Sequence, residues 1–155
     1  RRPMLSARSV QTLRPALTRK LHVLFGVSSA PHPDKAARGG EDAFFADETT
    51  GAFGVADGVG GSAGEGADPG AFSRALLAHC ERALLGGGCG DLDASGGGRL
   101  SAALAAARAG LGAEPLGGAS TLLLGRLEPA DGEHGTLRLL NIGDCGAMLL
   151  RPAAR

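Results

Sequence analysis

Two acidic pairs carry the clearest chemistry in the sequence: Glu41-Asp42, and Asp57 followed by Gly58-Val59-Gly60-Gly61. A carboxylate at the end of a strand, with glycines after it, can reach a metal ion without steric crowding. Gly58 can add its backbone carbonyl as a further oxygen donor. Hard cations such as Mg²⁺ and Mn²⁺ take oxygen ligands and keep several waters. Carboxylates held close together repel one another, and a bound cation relieves the repulsion. Two ions bridged by one carboxylate can lower the pKa of a shared water and aim it at phosphorus. An isolated Asp-Gly is a common turn, so the weight of this reading rests on the elements around it.

Those elements follow from the apolar pattern. Asp42 to Asp47 reads as a strand with Phe44 and Phe45 as its bulk, Thr49-Thr50-Gly51 as a turn, and Ala52 to Ala56 as a second strand that stops at Asp57-Gly58. Two short strands joined by a tight turn predict an antiparallel hairpin. Glu41-Asp42 opens one strand and Asp57 closes the other, so both acidic groups fall at one end of the hairpin. Leu21 to Val27 alternates Leu21, Val23, Phe25 and Val27 on one face and predicts an earlier strand, with a charged, glycine-ended loop from Lys35 to Gly40. Asp68-Pro69 predicts a helix start. Phe72, Leu76, Cys80 and Leu84 then form one apolar stripe, and Gly86 to Gly90 stops the helix. Arg99 to Leu111 predicts a second helix ended by Gly112. Ser120 to Leu127, Thr136 to Ile142 and Ala147 to Arg151 predict three strands, with turns at Pro129-Ala130-Asp131-Gly132 and Gly143-Asp144-Cys145-Gly146. Strands, two helices, then strands predict an α+β fold with helices on an antiparallel sheet.

Composition sets the limits. The chain has 155 residues, with 27 Gly, five Phe and no Trp or Tyr, so its packing relies on small residues. That length is enough for one small domain. Residues 1–33 hold Arg1, Arg2, Arg8, Arg14, Arg19 and Lys20 and no acid; the other 122 hold ten basic and sixteen acidic residues. A basic, Ser-containing, acid-free start reads as a disordered transit-like segment over 1–19, addressed to a mitochondrion or chloroplast, with a cytoplasmic location as the alternative. The first residue is not Met, which places the expected start upstream. The net-acidic body argues against nucleic-acid binding. Cys80, Cys89 and Cys145 are widely spaced, forming neither a disulfide framework nor a zinc pattern, which suggests a reducing compartment. No apolar run approaches the length of a membrane span.

Two rival motifs are weaker. Gly58-Val59-Gly60-Gly61-Ser62-Ala63 matches a dinucleotide-binding fingerprint. That fingerprint needs a helix to begin at once, and Ser62 to Gly70 is rich in Gly and Pro, while Asp57 would set negative charge beside a pyrophosphate. His79 and Cys80 are adjacent on a helix and point apart, which disfavours a nucleophile pair. His22, His32 and His134 are too scattered for a metal cluster.

Four motifs then occur in one order: Glu41-Asp42-Ala43; Gly54-Val55-Ala56-Asp57-Gly58-Val59-Gly60-Gly61; Gly118-Ala119-Ser120-Thr121; and Asn141-Ile142-Gly143-Asp144-Cys145-Gly146. In order and spacing they resemble the motifs of the metal-dependent PPM, or protein phosphatase 2C-type, serine/threonine phosphatases. The approach Pro31-His32-Pro33-Asp34-Lys35 with Gly39-Gly40-Glu41-Asp42 is similar to the organelle-targeted branch of that family. The match covers roughly residues 20–151, read as the N-terminal part of such a domain.

The resemblance implies part of a four-layer α-β-β-α sandwich holding two Mn²⁺ or Mg²⁺ ions. Asp57 matches the residue that bridges both metals. Gly58 matches the backbone-carbonyl ligand, and Glu41 and Asp42 match an acidic pair that holds metal largely through water. It further implies that a metal-bridging hydroxide attacks the phosphomonoester of a phosphoprotein directly. Ala37 stands where the family commonly has a phosphate-binding Arg, so Arg38 or Lys35 is expected to contact substrate phosphate instead. Ser120, Thr121 and Asp144 are read as folding residues. The family's further Asp ligands come from a second half, and this sequence has no Asp after Asp144. The chain therefore reads as a fragment, a truncated gene model or a degenerate copy, with little activity and poor stability expected of the 155 residues alone. A non-catalytic binding module derived from a phosphatase is the alternative.

Overall fold

Glycine and alanine at every second position let a helix lie directly on a sheet, and that contact organises the fold. The computed structural model describes residues 21–60, 67–86, 98–114, 116–129 and 134–151. The expected transit-like segment, the end of the glycine-rich loop after Gly60, the glycines after α1 and the turn after Pro129 fall outside these residues. The elements are β1 (Asp42–Asp47), β2 (Ala52–Asp57), α1 (Pro69–Leu85), α2 (Gly98–Leu111), β3 (Leu122–Pro129) and β4 (Gly135–Ile142). One antiparallel sheet in the order β1-β2-β3-β4 carries both helices on one face, so the chain is α+β as expected.

The β1–β2 hairpin closes through local chemistry. The Asp47 carboxylate accepts from the Thr50 amide at 2.7 Å and the Thr50 hydroxyl at 2.6 Å, and these bonds hold its pKa below the usual carboxylate value. Gly51 takes φ +68°, where a side chain is strained. The turn sets Asp42 opposite Asp57 and Phe45 opposite Gly54. A Cβ at Gly54 would sit 2.5 Å from the Phe45 ring and 3.0 Å from Leu77, so glycine there lets α1 approach the sheet. Asp68 caps α1 by accepting from the Ala71 amide at 3.0 Å, with Pro69 in the first turn. Leu76, Leu77, Cys80 and Leu84 of α1, Leu100 and Ala103 of α2, and Leu122 and Leu124 of β3 form the buried core.

Three expected elements differ. Leu21 to Val27 belongs to no strand: Leu21, Val23 and Phe25 alternate inward, but they lie across the sheet rather than along its edge. Phe25 packs on Phe53 of β2 with ring centroids 5.6 Å apart. The expected loop at Lys35 is a 3₁₀ turn over Pro33–Arg38, begun by His32 Nδ1 accepting from the Asp34 amide and ended by Gly39 at φ +81°. Ala147 to Arg151 is not a strand either. Gly143 turns the chain at φ +88°, and Thr121 Oγ1 meets Cys145 Sγ at 3.0 Å, drawing the turn onto the end of β3. Met148 and Leu150 are exposed.

Strand alternation places Phe44, Val55, Leu137 and Leu139 on the face opposite the helices. They are exposed by 51%, 39%, 38% and 44%, whereas Leu123 on the same face is buried and Phe53 is packed by Phe25, so the face is open only in part.

Candidate functional site

The hairpin register fixes the core of the site, because Asp42 and Asp57 are direct cross-strand partners at one end of β1 and β2. The backbone beyond them is held from three sides. The Gly58 amide donates to the Glu41 carbonyl at 3.1 Å, continuing the hairpin by one rung. The Thr121 amide and Ser120 hydroxyl both donate to the Asp57 carbonyl at 2.9 Å, while the Asp57 amide donates to Thr121 Oγ1 at 3.0 Å. Ser73, fully buried on α1, donates its hydroxyl to the Glu41 carbonyl at 2.5 Å, with the Gly70 carbonyl as the other acceptor in reach at 3.1 Å. A Cβ at Gly58 would lie 2.3 Å from the Pro69 carbonyl oxygen, so glycine there is what lets the start of α1 close on the site.

The electrostatics of this end are acidic. The Asp57 carboxyl is pushed above its ordinary value, first by partial loss of solvent at the strand end. The charge and hydrogen bonding of Asp42 come next, followed by the charges of Asp144 and Glu41. Four carboxylates thus act on one locus, and their negative charge is only partly offset. Asp144 enters this group although its sequence context suggested only a turn. Its turn closes on the end of β3 beside Thr121, within reach of Asp57. Ser73 was also not singled out in the sequence. The available signal was one polar side chain directly after Phe72 in an otherwise apolar stripe.

The basic residues are divided. Lys35 Nζ is ion-paired with Glu41 Oε2, and the backbone of Gly60 covers the pair closely enough that a Cβ would lie 2.8 Å from either partner. Arg38 is exposed at the end of the 3₁₀ turn, where it and Arg74 help keep Asp68 below its ordinary pKa, after the Ala71 amide bond that dominates. Arg74 donates to the Gly40 carbonyl at 3.3 Å, fixing the glycine pair that leads into Glu41. His79 plays no part here. It bonds Glu114 at 2.8 Å and Arg82 at 3.2 Å on the far side of α1, and burial drives the neighbouring Cys80 thiol up to about 11.

The donors suit Mg²⁺ or Mn²⁺ in kind, being carboxylate and carbonyl oxygens gathered where negative charge is uncompensated. They are partial in number. Among the described residues, no group of three or more His, Cys, Asp or Glu lies close enough to hold an ion. No helix among them is long and apolar enough to cross a membrane.

Comparison with known sequences agrees with the motif order. The chain is 37% identical over 143 residues to "Probable protein phosphatase 2C 26" of Arabidopsis thaliana, an alignment covering 92% of this chain and 42% of that protein. It is 36% identical over 127 residues to "Probable protein phosphatase 2C 1" of Oryza sativa subsp. japonica, covering 81% of this chain and 34% of the relative. "Probable protein phosphatase 2C 71" of the same rice is 36% identical over 138 residues, with 88% of this chain and 26% of the relative aligned. The chain therefore spans less than half the length of these relatives. No family model matches, and no solved structure matches. By sequence, the chain is a relative of the protein phosphatase 2C family, matched along most of its own length and part of theirs.

Proposed function

We propose that the Asp57 end of the sheet is the metal-holding part of a protein serine/threonine phosphatase site that hydrolyses phosphomonoesters with Mn²⁺ or Mg²⁺. The observation that carries this reading is the in-register Asp42–Asp57 pair, with Asp144 and Glu41 close enough to raise Asp57 further. Asp57 and the Gly58 carbonyl would hold metal directly, and Asp42 would complete the acidic pair across the hairpin. Glu41 serves through its backbone and its ion pair with Lys35. Bound divalent ions supply Lewis acidity for a phosphoryl oxygen and an acidified water as nucleophile. Ser120, Thr121 and Ser73 have no contact with that chemistry. They fix the main chain on both sides of the acidic pair, so the carboxylates are positioned before any ligand arrives. Arg38, exposed at the end of the 3₁₀ turn, would meet a substrate phosphate, and Lys35 would do so on releasing Glu41.

The partly open apolar face supports the second half of the reading, in which this sheet is one of two in an α-β-β-α sandwich. The remaining metal ligands would come from the second sheet's half of the domain. The incomplete donor set also favours a second function, a phosphatase-derived binding module without turnover. Hydrolysis of p-nitrophenyl phosphate by the complete gene product separates the two. The phosphatase reading expects activity that requires Mn²⁺ or Mg²⁺, stops with a chelator, and falls at least ~10²-fold in Asp57→Asn. Activity indifferent to the chelator or to Asp57→Asn would sink it, and metal-dependent phosphopeptide binding without turnover would favour the module.

A further inference from the structure

A second charged locus lies at the other end of the sheet. Arg126 of β3 stands opposite Ala52 of β2 and Arg138 of β4. It shares its face with Leu122 and Leu124, so its side chain starts out toward the helices. Arg126 Nε and Nη1 are buried, and among the described residues neither has a hydrogen-bond partner. Among the described residues, the carboxylates of that region are already committed. Asp47 is bound twice by Thr50, Glu48 accepts from the Phe25 amide at 3.4 Å, and Glu128 accepts from Arg138 Nε at 3.2 Å. Two like charges directly opposite each other on a sheet are unfavourable, and Glu128 compensates only one of this pair. Guanidinium nitrogens buried without an acceptor, as Nε and Nη1 are here, forfeit charge-assisted hydrogen bonds, so buried Arg donors are normally paired.

We propose that Arg126 is the receptor for an oxygen anion, either a small oxyanion such as phosphate or the carboxylate of an acidic side chain. Arg126 as a whole is half-buried, so part of the residue beyond Nε and Nη1 meets solvent. Guanidinium suits this chemistry because it presents several fixed donors and stays charged at any working pH. Arg126 is separated from Asp57 by most of the length of β2, roughly 17 Å at ~3.4 Å per residue, so the two loci are distinct.

Side-chain Nε–H NMR of the full chain tests the proposal, with Asp57→Asn as background to remove phosphate effects at the acidic end. The Arg126 resonance is assigned by its loss in Arg126→Lys. It is expected to shift saturably on titration with sodium phosphate or sodium acetate at constant ionic strength, and not with sodium chloride. Response to phosphate alone assigns a free oxyanion, response to acetate alone assigns an acidic side chain, and response to both supports the shared chemistry. No shift with either, or an equal shift with chloride, overturns the proposal. A thermal-melt series gives a second readout: wild type gains Tm with the responding anion and Arg126→Met does not. Equal gains in both proteins would overturn the proposal as well.

Discussion

Asp57 is a residue whose charge works against the fold. Its carboxyl is raised, so between the unfolded value of 3.8 and its folded value the native state binds more protons. Its contribution to stability therefore falls as pH rises through that window, and at neutral pH it is destabilising. Asp57→Asn is accordingly expected to raise the Tm of the metal-free chain while removing its response to Mn²⁺, both readable in one set of thermal melts. Cys80 gives an independent check on the core. With its pKa near 11, the thiolate is scarce at pH 8, and the side chain is fully buried. A thiol reagent such as DTNB should leave Cys80 unmodified in the folded chain, label the partly exposed Cys145, and reach Cys80 only in denaturant. Mass mapping of the labelled peptides reads the outcome. At this scale residue type and spacing marked Glu41, Asp42, Asp57 and Gly58 as candidates, and the hairpin register brings them to one end of the sheet. The sequence concealed Asp144 and Ser73, because their roles depend on a turn closing over β3 and on a helix start meeting the hairpin end.

The elements depend on a few close approaches. Gly54→Ala pushes a Cβ against Phe45, Leu124 and Leu77, and is expected to cost about 1–3 kcal/mol by overpacking. Leu77→Ala removes the α1 side of the same contact and should cost about 3 kcal/mol, measured by urea denaturation. Asp68 acts in the opposite sense to Asp57. Its capping bond to Ala71 lowers its pKa, so its stabilisation is present above 3.8 and lost as pH falls through the depressed folded value. Asp68→Ala should lower Tm at pH 7 and leave it unchanged near pH 2. The hairpin, both helices and the two strands β3 and β4 were legible because local patterns determine them: alternation, a capping Asp before Pro, glycine stops. Leu21–Val27 and Ala147–Arg151 show the same alternation without forming strands. A period of two marks an extended segment with one face inward, and whether its backbone joins a ladder is decided by where the chain is led, here across the sheet and onto the end of β3.

At the scale of the whole molecule, the sheet is buried on its helix side and only partly covered on the other, where Phe25 packs on Phe53. Leu139, 44% exposed, is expected to tolerate Lys with a change of under about 0.5 kcal/mol in this chain, whereas a second sheet packed there would make the same substitution cost several times more. The partly open face should also enhance the fluorescence of an apolar dye such as ANS, and Leu139→Lys should reduce that signal. The chain aligns with less than half the length of its longer phosphatase 2C relatives, and the proposed function would assign both the incomplete donor set among the described residues and the exposed part of the sheet face to that difference. Binding of Mn²⁺ to the chain, followed by loss of the free-ion EPR signal, tests the central claim most directly. The wild-type chain is expected to take up Mn²⁺, and Asp57→Asn to lower that uptake at least ~10-fold, through removal of a ligand carboxylate. Equal uptake by wild type and Asp57→Asn, or none by either at millimolar Mn²⁺, would contradict it.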